Sequence, residues 1–350
     1  MKTLFITGIF RTGTSLVSAA LDAHPRVMIA WQPFMVFFRE LRNKFFTELL
    51  KETIDRDFPM GILTYEDDNI LRMLKDVLNL VVFNEAQVVD LLLRIEKGLK
   101  EKDQFNRDMK PLQLLAHLDG IEPGTAGHIL KQLLNRISLS NKEPDLVGIK
   151  EVFCEEFAVP FLNYLGPGSR VIHLLRDPRA ITASRNYGKY KEAVGTRYPL
   201  MFIIKSWKRS VYFARSNSGN GHYKVVKYED IVNSPDDMLM DLHRFLEMEF
   251  DRKTLDVSNY RNAKGEQWLN NSSFEGEDRI STRSIDRWRQ VLSEKEIRLI
   301  EAFCGEEMKD MGYDLMFRES DPLSPGELRG IEDSSTFPLW LQKYDFGILE

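Results

Sequence analysis

Apolar residues run without alternation through Thr3–Thr7 (TLFIT), which predicts a central parallel strand covered on both faces. The loop GIFRTGTS follows, and TSLVSAALDA has helical spacing from about Thr14 to Ala23. His24-Pro25 ends that helix, because a residue before proline avoids the helical region. A second short strand is expected at Arg26–Ala30 (RVMIA). Strand, glycine loop and helix in this order form the first unit of a doubly wound sheet.

From Pro33 to about Ser138 the spacing becomes helical, as in ILRMLKDVLNLVV and AQVVDLLLRIEKGLKEK, with breaks near Pro59-Met60-Gly61 and Glu122-Pro123-Gly124. We expect a helical insertion over 33–140 that packs on the sheet and forms the substrate side. Strands resume at Asp145–Lys150 (DLVGIK), Arg170–Leu175 (RVIHLL) and Tyr223–Lys227 (YKVVK). Helices are expected at Pro178–Asn186, Leu200–Ser216, in two short pieces around Pro235–Leu246, at Ile285–Val291 and at Glu294–Glu307. The polar stretch Ser258–Arg283 reads as a long loop, a kind that in compact domains usually serves function. The tail over 314–350, with Pro322, Pro325, Gly326 and Pro338, reads as irregular. The fold class is α/β: one domain over 1–350, a doubly wound parallel sheet flanked by helices, with the insertion between early strands.

Composition narrows the partners. Of 350 residues 43% are hydrophobic, enough for a sizeable core, and the net charge of −5 argues against a nucleic-acid partner. Two cysteines, Cys154 and Cys304, make no disulfide framework and are expected as reduced core thiols. Six histidines show no ligand spacing, so no metal is expected. The apolar run before Gly8 is too short for a signal peptide, and no run reaches the roughly 18 apolar residues of a membrane span. The expectation is a cytoplasmic protein without a membrane span; a Golgi-type enzyme would need an anchor.

The loop GIFRTGTS almost spells the phosphate-binding pattern of nucleotide triphosphatases, with Gly8, Gly13 and Ser15 at the right spacing. Thr14 stands where that pattern has its lysine. Backbone amides of Thr12, Gly13, Thr14 and Ser15 at a helix start still suit a phosphate. Arg11 offers a planar fork for a terminal anion in place of the lysine. The fold is then a P-loop version of the doubly wound sheet, built for a phosphate-like group other than a magnesium triphosphate. A second anchor lies in VIHLLRDPRAITASR: a strand ends at Arg176, Asp177 is placed to cap, Pro178 to open a helix, and Ser184 lies about two turns in. Arg176 and Ser184 are candidates to meet on one oxyanion at the carboxyl edge of the sheet. A purely structural reading, in which Arg176 and Asp177 only cap and pair, stays open for that motif alone. Together the two anchors suit a nucleotide with anions at both ends.

These motifs resemble the sulfotransferases that use 3′-phosphoadenylyl sulfate. In that family a lysine-poor loop of the form [RK]-[ST]-G-[ST]-[ST], here Arg11-Thr12-Gly13-Thr14-Ser15, binds the 5′-phosphosulfate. A strand ending in R-D-P-R with a later serine, here Arg176 to Arg179 and Ser184, binds the 3′-phosphate. VVKYEDIVNSPDD is similar to the family's Y-E-D-L segment and implies Tyr228 near the adenine; Trp288-Arg289 opens the usual C-terminal helices. The resemblance spans 1–32 and about 145–313. It implies sulfuryl transfer from 3′-phosphoadenylyl sulfate, with 3′-phosphoadenosine 5′-phosphate as product and no required metal, to a hydroxyl or a nitrogen of a small-molecule or carbohydrate acceptor.

The resemblance also assigns catalytic candidates. Arg11 and Lys150, the latter at a strand end, are placed to neutralise charge on the bridging oxygen. Several family members carry a glutamate before a proline after the second strand; here AWQPF puts Gln32 there, and an amide cannot accept a proton. Glu151 is the substitute base, and Gln32 is left to orient the acceptor. His173, in mid-strand, is expected as a core residue, while His24 stands in a turn. Within GEQWLNNSSFEGEDRISTR, matching a cofactor-covering loop, Ser281 and Arg283 are candidates for further phosphate contacts. Trp31, Phe34, Phe37, Phe38 and Glu40 are candidates for an acceptor pocket, although amphipathic helices need such residues anyway. Two other readings compete: a P-loop kinase or NTPase with an aberrant loop, and a non-catalytic nucleotide-binding relative.

Overall fold

The structure is a computed structural model that describes residues 2–56, 67–105, 120–138, 144–188, 195–261, 267–268, 280–317 and 337–342. The strands of the main sheet are β1 (Lys2–Thr7), β2 (Val27–Trp31), β5 (Leu146–Lys150), β6 (Ser169–Leu175) and β7 (Tyr223–Lys227). They are all parallel, in the spatial order β2-β5-β1-β6-β7. After β1 the chain moves outward to β2; after β6 it moves the opposite way to β7. The strand order therefore reverses between β1 and β6, the place where open α/β sheets bind their ligands.

The continuous apolar runs arise because both faces are covered. Leu4, Phe5 and Ile6 are fully buried. Phe5 joins the core under the helical insertion, while Leu4 and Ile6 join the core on the other face. The period-two alternation of a strand divides them. Phe5 stacks on Phe38 of the insertion at 5.5 Å and on Phe161 at 5.2 Å.

The helices in chain order are α1 (Thr14–Asp22), α2 (Met35–Lys44), α3 (Asp68–Leu74), α4 (Val77–Leu80), α5 (Glu85–Phe105), α6 (Ala126–Ser138), α7 (Ala158–Leu165), α8 (Pro178–Asn186), α9 (Leu200–Asn217), α10 (Tyr228–Asn233), α11 (Pro235–Phe245), α12 (Trp288–Val291), α13 (Glu294–Asp310) and α14 (Leu339–Gln342). The insertion holds α2 to α6. It also holds a π-helical turn, Phe45–Leu50, and a two-residue antiparallel pair, β3 (Val82–Phe83) with β4 (Gly124–Thr125), too short to leave a periodic signal. The expected break at Pro59-Met60-Gly61 lies outside the described residues. Other elements also depart from the sequence reading: α7 has no counterpart in it, and α14 places a helical turn in the tail, where Leu341 is buried in the core. The helix expected from Ile285 begins at Trp288, after a 3₁₀ turn at Thr282–Ser284. Cys154 and Cys304 are free and buried, and burial raises the pKa of each thiol.

Candidate active site at the carboxyl edge of the sheet

Every sheet strand delivers a candidate residue to the same edge. The glycine loop follows β1, Gln32 follows β2, Lys150 ends β5, Arg176 follows β6 and Tyr228 follows β7. Parallel strands in register bring these ends together: Ile6 pairs with Lys150, Trp31 with Lys150, and Thr7 with His173.

The glycine loop is closed by its own side chains. Thr12 Oγ1 donates to the Ile9 carbonyl at 2.7 Å, and Thr12 and Thr14 are buried. Gly13 sits at φ 92°, and a Cβ there would lie 2.6 Å from Cδ2 of Tyr228, so only glycine fits. As the N-cap of α1 it offers no side-chain acceptor, which leaves the first-turn amides, Thr14 and Ser15 among them, for an anion. Arg11 holds a left-handed backbone, φ 63°. Gln32 and Phe153, at the ends of β2 and β5, do the same at φ 50° and 61°. Such strained positions concentrate at functional edges.

The two phosphate-type anchors meet. Arg11 Nε donates to Ser184 Oγ at 2.8 Å, and Arg176 Nη1 donates to the Arg11 carbonyl at 2.9 Å. Arg176 also lies over the Tyr228 ring, 4.1 Å from its centroid, and its Nη2 donates to the Ser284 carbonyl at 2.8 Å. Tyr228 Oη and Ser284 Oγ share a 2.7 Å hydrogen bond. Trp207 fixes the backbone at Arg176, its indole N–H donating to the Arg176 carbonyl at 2.8 Å. Asp177 caps α8 by accepting from the Arg179 N–H, with Pro178 at the first helical position, as the sequence implied. Arg179 is spent inside the protein, on Asp177 and Glu301. Nε of Arg176, by contrast, is buried without a hydrogen-bond partner.

The remaining candidates divide. Lys150 is buried, with Nζ 3.4 Å from Gln32 Oε1 and 5.3 Å from the centroid of Trp31. Glu151, the substitute base, does not join them. It is fully buried, and its Oε1 accepts from the Phe34 N–H at 2.6 Å, at the start of α2. Strand alternation turns Lys150 and Glu151 to opposite faces, so Glu151 serves as an anion at a helix N-terminus. Ser281 is likewise taken up locally, its Oγ accepting from the Arg283 N–H at 3.3 Å as the cap of the 3₁₀ turn; Arg283 is exposed. The neighbouring Ser284, not Ser281, reaches Arg176 and Tyr228. Most of the covering loop, residues 269–279, lies outside the described residues. His173 is the core residue expected, bonded to Tyr223 Oη at 2.5 Å and Ser210 Oγ at 2.8 Å. His24 is buried against the Glu249 carbonyl and the ring of His243, away from this edge. Phe34, Phe37 and Phe38 pack in the core, and Glu40 pairs with Arg56 and Arg94.

The chain is similar to known proteins across this region. Residues 163–312, which carry Arg176, Ser184, Tyr228 and Ser284, match the model of the sulfotransferase domain. Human carbohydrate sulfotransferase 3 is 24% identical over 211 residues, covering 52% of this chain and 41% of that protein. Rat carbohydrate sulfotransferase 1 is 27% identical over 173 residues, covering 45% of this chain and 41% of that protein. The chain thus spans about two-fifths of the length of these curated relatives. Among solved structures, the sulfotransferase domain from the curacin biosynthetic pathway aligns over 89% of this chain and 98% of its own, at 16% identity and a TM-score of 0.49. The expected cytoplasmic placement does not stand. The relatives are carbohydrate sulfotransferases, Golgi membrane enzymes of the class that the anchor argument had set aside. Among the described residues no helix is long and apolar enough to cross a membrane, and that does not assign a compartment. The match of residues 163–312 to the sulfotransferase domain and the named relatives agree: the chain is similar to sulfotransferases over the region that carries the second anchor.

Proposed function

We propose that this chain transfers a sulfuryl group from 3′-phosphoadenylyl sulfate to a hydroxyl or nitrogen of a carbohydrate or small-molecule acceptor. The observation that carries the reading is the convergence of Arg11, Ser184, Arg176 and Tyr228 at the reversal point of the sheet. Arg176 and Ser184 would take the 3′-phosphate, and the uncapped amides of α1 the 5′-phosphate. Tyr228 shapes the nucleotide side by packing on Gly13 and Arg176.

In the transfer the acceptor atom forms a bond to sulfur as the bond from sulfur to the bridging phosphate oxygen breaks. The bisphosphate leaves with the electron pair, and the acceptor loses its proton. Arg11 and Lys150 carry the positive charge that offsets the charge growing on the bridging oxygen. Gln32, against Lys150, is placed to hold the acceptor by its amide. Glu151 fixes the entry of α2, and so the acceptor side, rather than taking the proton. The helical insertion over 33–140 then supplies the acceptor wall within one domain over 1–350.

A thermal-shift titration tests the reading. A ligand at about 100 times its Kd stabilises the fold by roughly 2.7 kcal/mol. 3′-Phosphoadenosine 5′-phosphate should raise the melting temperature by several degrees, Arg176→Ala should remove the rise, and magnesium ATP should give none. A rise with magnesium ATP alone would revive the kinase reading, which lacks its lysine at Thr14. A rise with the bisphosphate, but no sulfated product from any acceptor in a screen with labelled donor, would support the non-catalytic alternative.

A further inference from the structure

The two outer strands of the sheet, β2 and β7, end alike. Each brings an aromatic ring against a candidate cation at the end of the strand beside it. On one side Arg176, the residue after β6, lies 4.1 Å from the ring centroid of Tyr228, the residue after β7. On the other side Lys150, the last residue of β5, has its Nζ 5.3 Å from the ring centroid of Trp31, the last residue of β2. Both distances lie within the roughly 6 Å over which a ring face attracts a cation. Tyr228 packs on the nucleotide side, whereas Trp31 has no part in the transfer itself.

The sheet dictates the second contact. Lys150 is the register partner of both Trp31 and Ile6, so the three side chains share one face. Trp31 and Ile6 belong to the core under α1, with Val17, Ala20 and Leu21. That face carries the helix whose first turn opens on the glycine loop. The chain after β5 stays beside the same loop, the Phe153 N–H donating to the Gly8 carbonyl at 3.1 Å. The Gln32 N–H donates to the Lys150 carbonyl at 2.7 Å, which ties the two strand ends together. Trp31 is only 3% exposed, which leaves its ring little surface for an acceptor to stack on.

The indole is in place for its face. Its N–H is buried without a hydrogen-bond partner among the described residues. A buried tryptophan usually finds one, and an apolar side chain would avoid the cost of leaving it unmade. What the indole offers instead is the best cation-binding face of any side chain. A ring face also holds an ammonium without cancelling its charge. Carboxylates do cancel it, as Asp177 and Glu301 do for Arg179. We propose that Trp31 is a positioning residue, whose ring holds the Lys150 ammonium, still fully charged, on the α1 side of the sheet edge where charge grows on the bridging oxygen. The role rests on the sulfuryl-transfer reading, and it moves Trp31 from the acceptor pocket to the donor side.

The experiment replaces Trp31 in the full chain with mono-, di- and trifluorotryptophan by site-specific incorporation. Fluorine draws charge off the ring face and weakens its hold on a cation while nearly keeping the ring's shape. Turnover is followed with labelled 3′-phosphoadenylyl sulfate and an acceptor from the screen, and bisphosphate affinity by calorimetry. Across the series kcat should fall stepwise, by about tenfold in all, while bisphosphate affinity and melting temperature stay the same. In a Lys150→Met background the same series should be flat, because the cation is gone. A ring that only fills space would leave kcat level. The role of Trp31 is overturned, with the transfer reading intact, if kcat is level across the series or falls as steeply in Lys150→Met. If the unmodified protein sulfates no acceptor, the transfer reading fails and the role of Trp31 fails with it.

Discussion

Arg11 and Ser184, 173 positions apart, are joined by a 2.8 Å hydrogen bond from Nε to Oγ. The bond ties the loop after β1 to the helix after β6, and Arg176 adds a second tie through the Arg11 carbonyl at 2.9 Å. The residues assigned to the two ends of the donor therefore form one connected unit.

That connection predicts non-additive mutants. Arg176→Ala should weaken bisphosphate binding roughly 10- to 100-fold, since hydrogen bonds to a charged group are each worth about 1.5–3 kcal/mol. Arg11→Ala and Ser184→Ala should each weaken it less. Their double mutant should depart from the sum by about 0.5–3 kcal/mol, the range for residues in one network. Calorimetric titration of the four proteins measures the cycle, and strict additivity would mean that the Arg11–Ser184 bond plays no part in solution.

Gly13→Ala should damage the donor site through two independent strains. The position has φ 92°, where a side chain costs about 1–3 kcal/mol. The new Cβ would also meet Tyr228 Cδ2 at 2.6 Å. The melting temperature should fall and bisphosphate binding should be lost. Adding Tyr228→Ala should recover part of the stability, by removing the clash but not the strain. Full recovery, or none, would show that only one of the two strains operates.

The parts of this site that were legible in the sequence are local ones. Five short apolar runs marked the strands, and the residues at their carboxyl ends marked the edge. Asp177-Pro178 announced the start of α8 because capping is decided within a few residues. What was not legible depends on distant packing. Ser284 became a partner of Tyr228 across 56 positions, while its neighbour Ser281 was absorbed by a turn. Glu151 looked like a base because it adjoins Lys150, yet strand alternation separates adjacent side chains to opposite faces. The α7 sequence, AVPFLNYL, starts as an apolar run with Pro160 inside it and shows no helical stripe.

Glu151 and Lys150 should separate in kinetics. Glu151→Gln keeps an oxygen to accept from the Phe34 N–H but cannot take a proton. It should fold and keep the wild-type pH profile of turnover, whereas loss of a general base would cost about 10²–10⁴ in rate. Lys150→Met should retain bisphosphate binding and lower kcat by about 10²-fold or more, the scale for removing one group that stabilises transition-state charge. A collapse of turnover in a folded Glu151→Gln would return that residue to the role of base.

Stability should fall on acidification because of His173. Burial in mid-strand lowers its pKa from 6.5 to about 4, outweighing the pull of Glu155. The folded state therefore keeps the ring neutral at a pH where the unfolded chain binds a proton. Where the unfolded state binds more protons, stability rises with pH. The contribution is complete above pH 6.5 and is lost as the pH falls from there toward 4. Its full size is on the order of 3 kcal/mol. His243, also lowered by burial, acts in the same direction. Urea titrations at a series of pH values should show this decline. His173→Gln, whose amide can still meet Tyr223 Oη and Ser210 Oγ, should be less stable at neutral pH but flatter across the window. An unchanged slope in that variant would place the acid sensitivity elsewhere, first in His243.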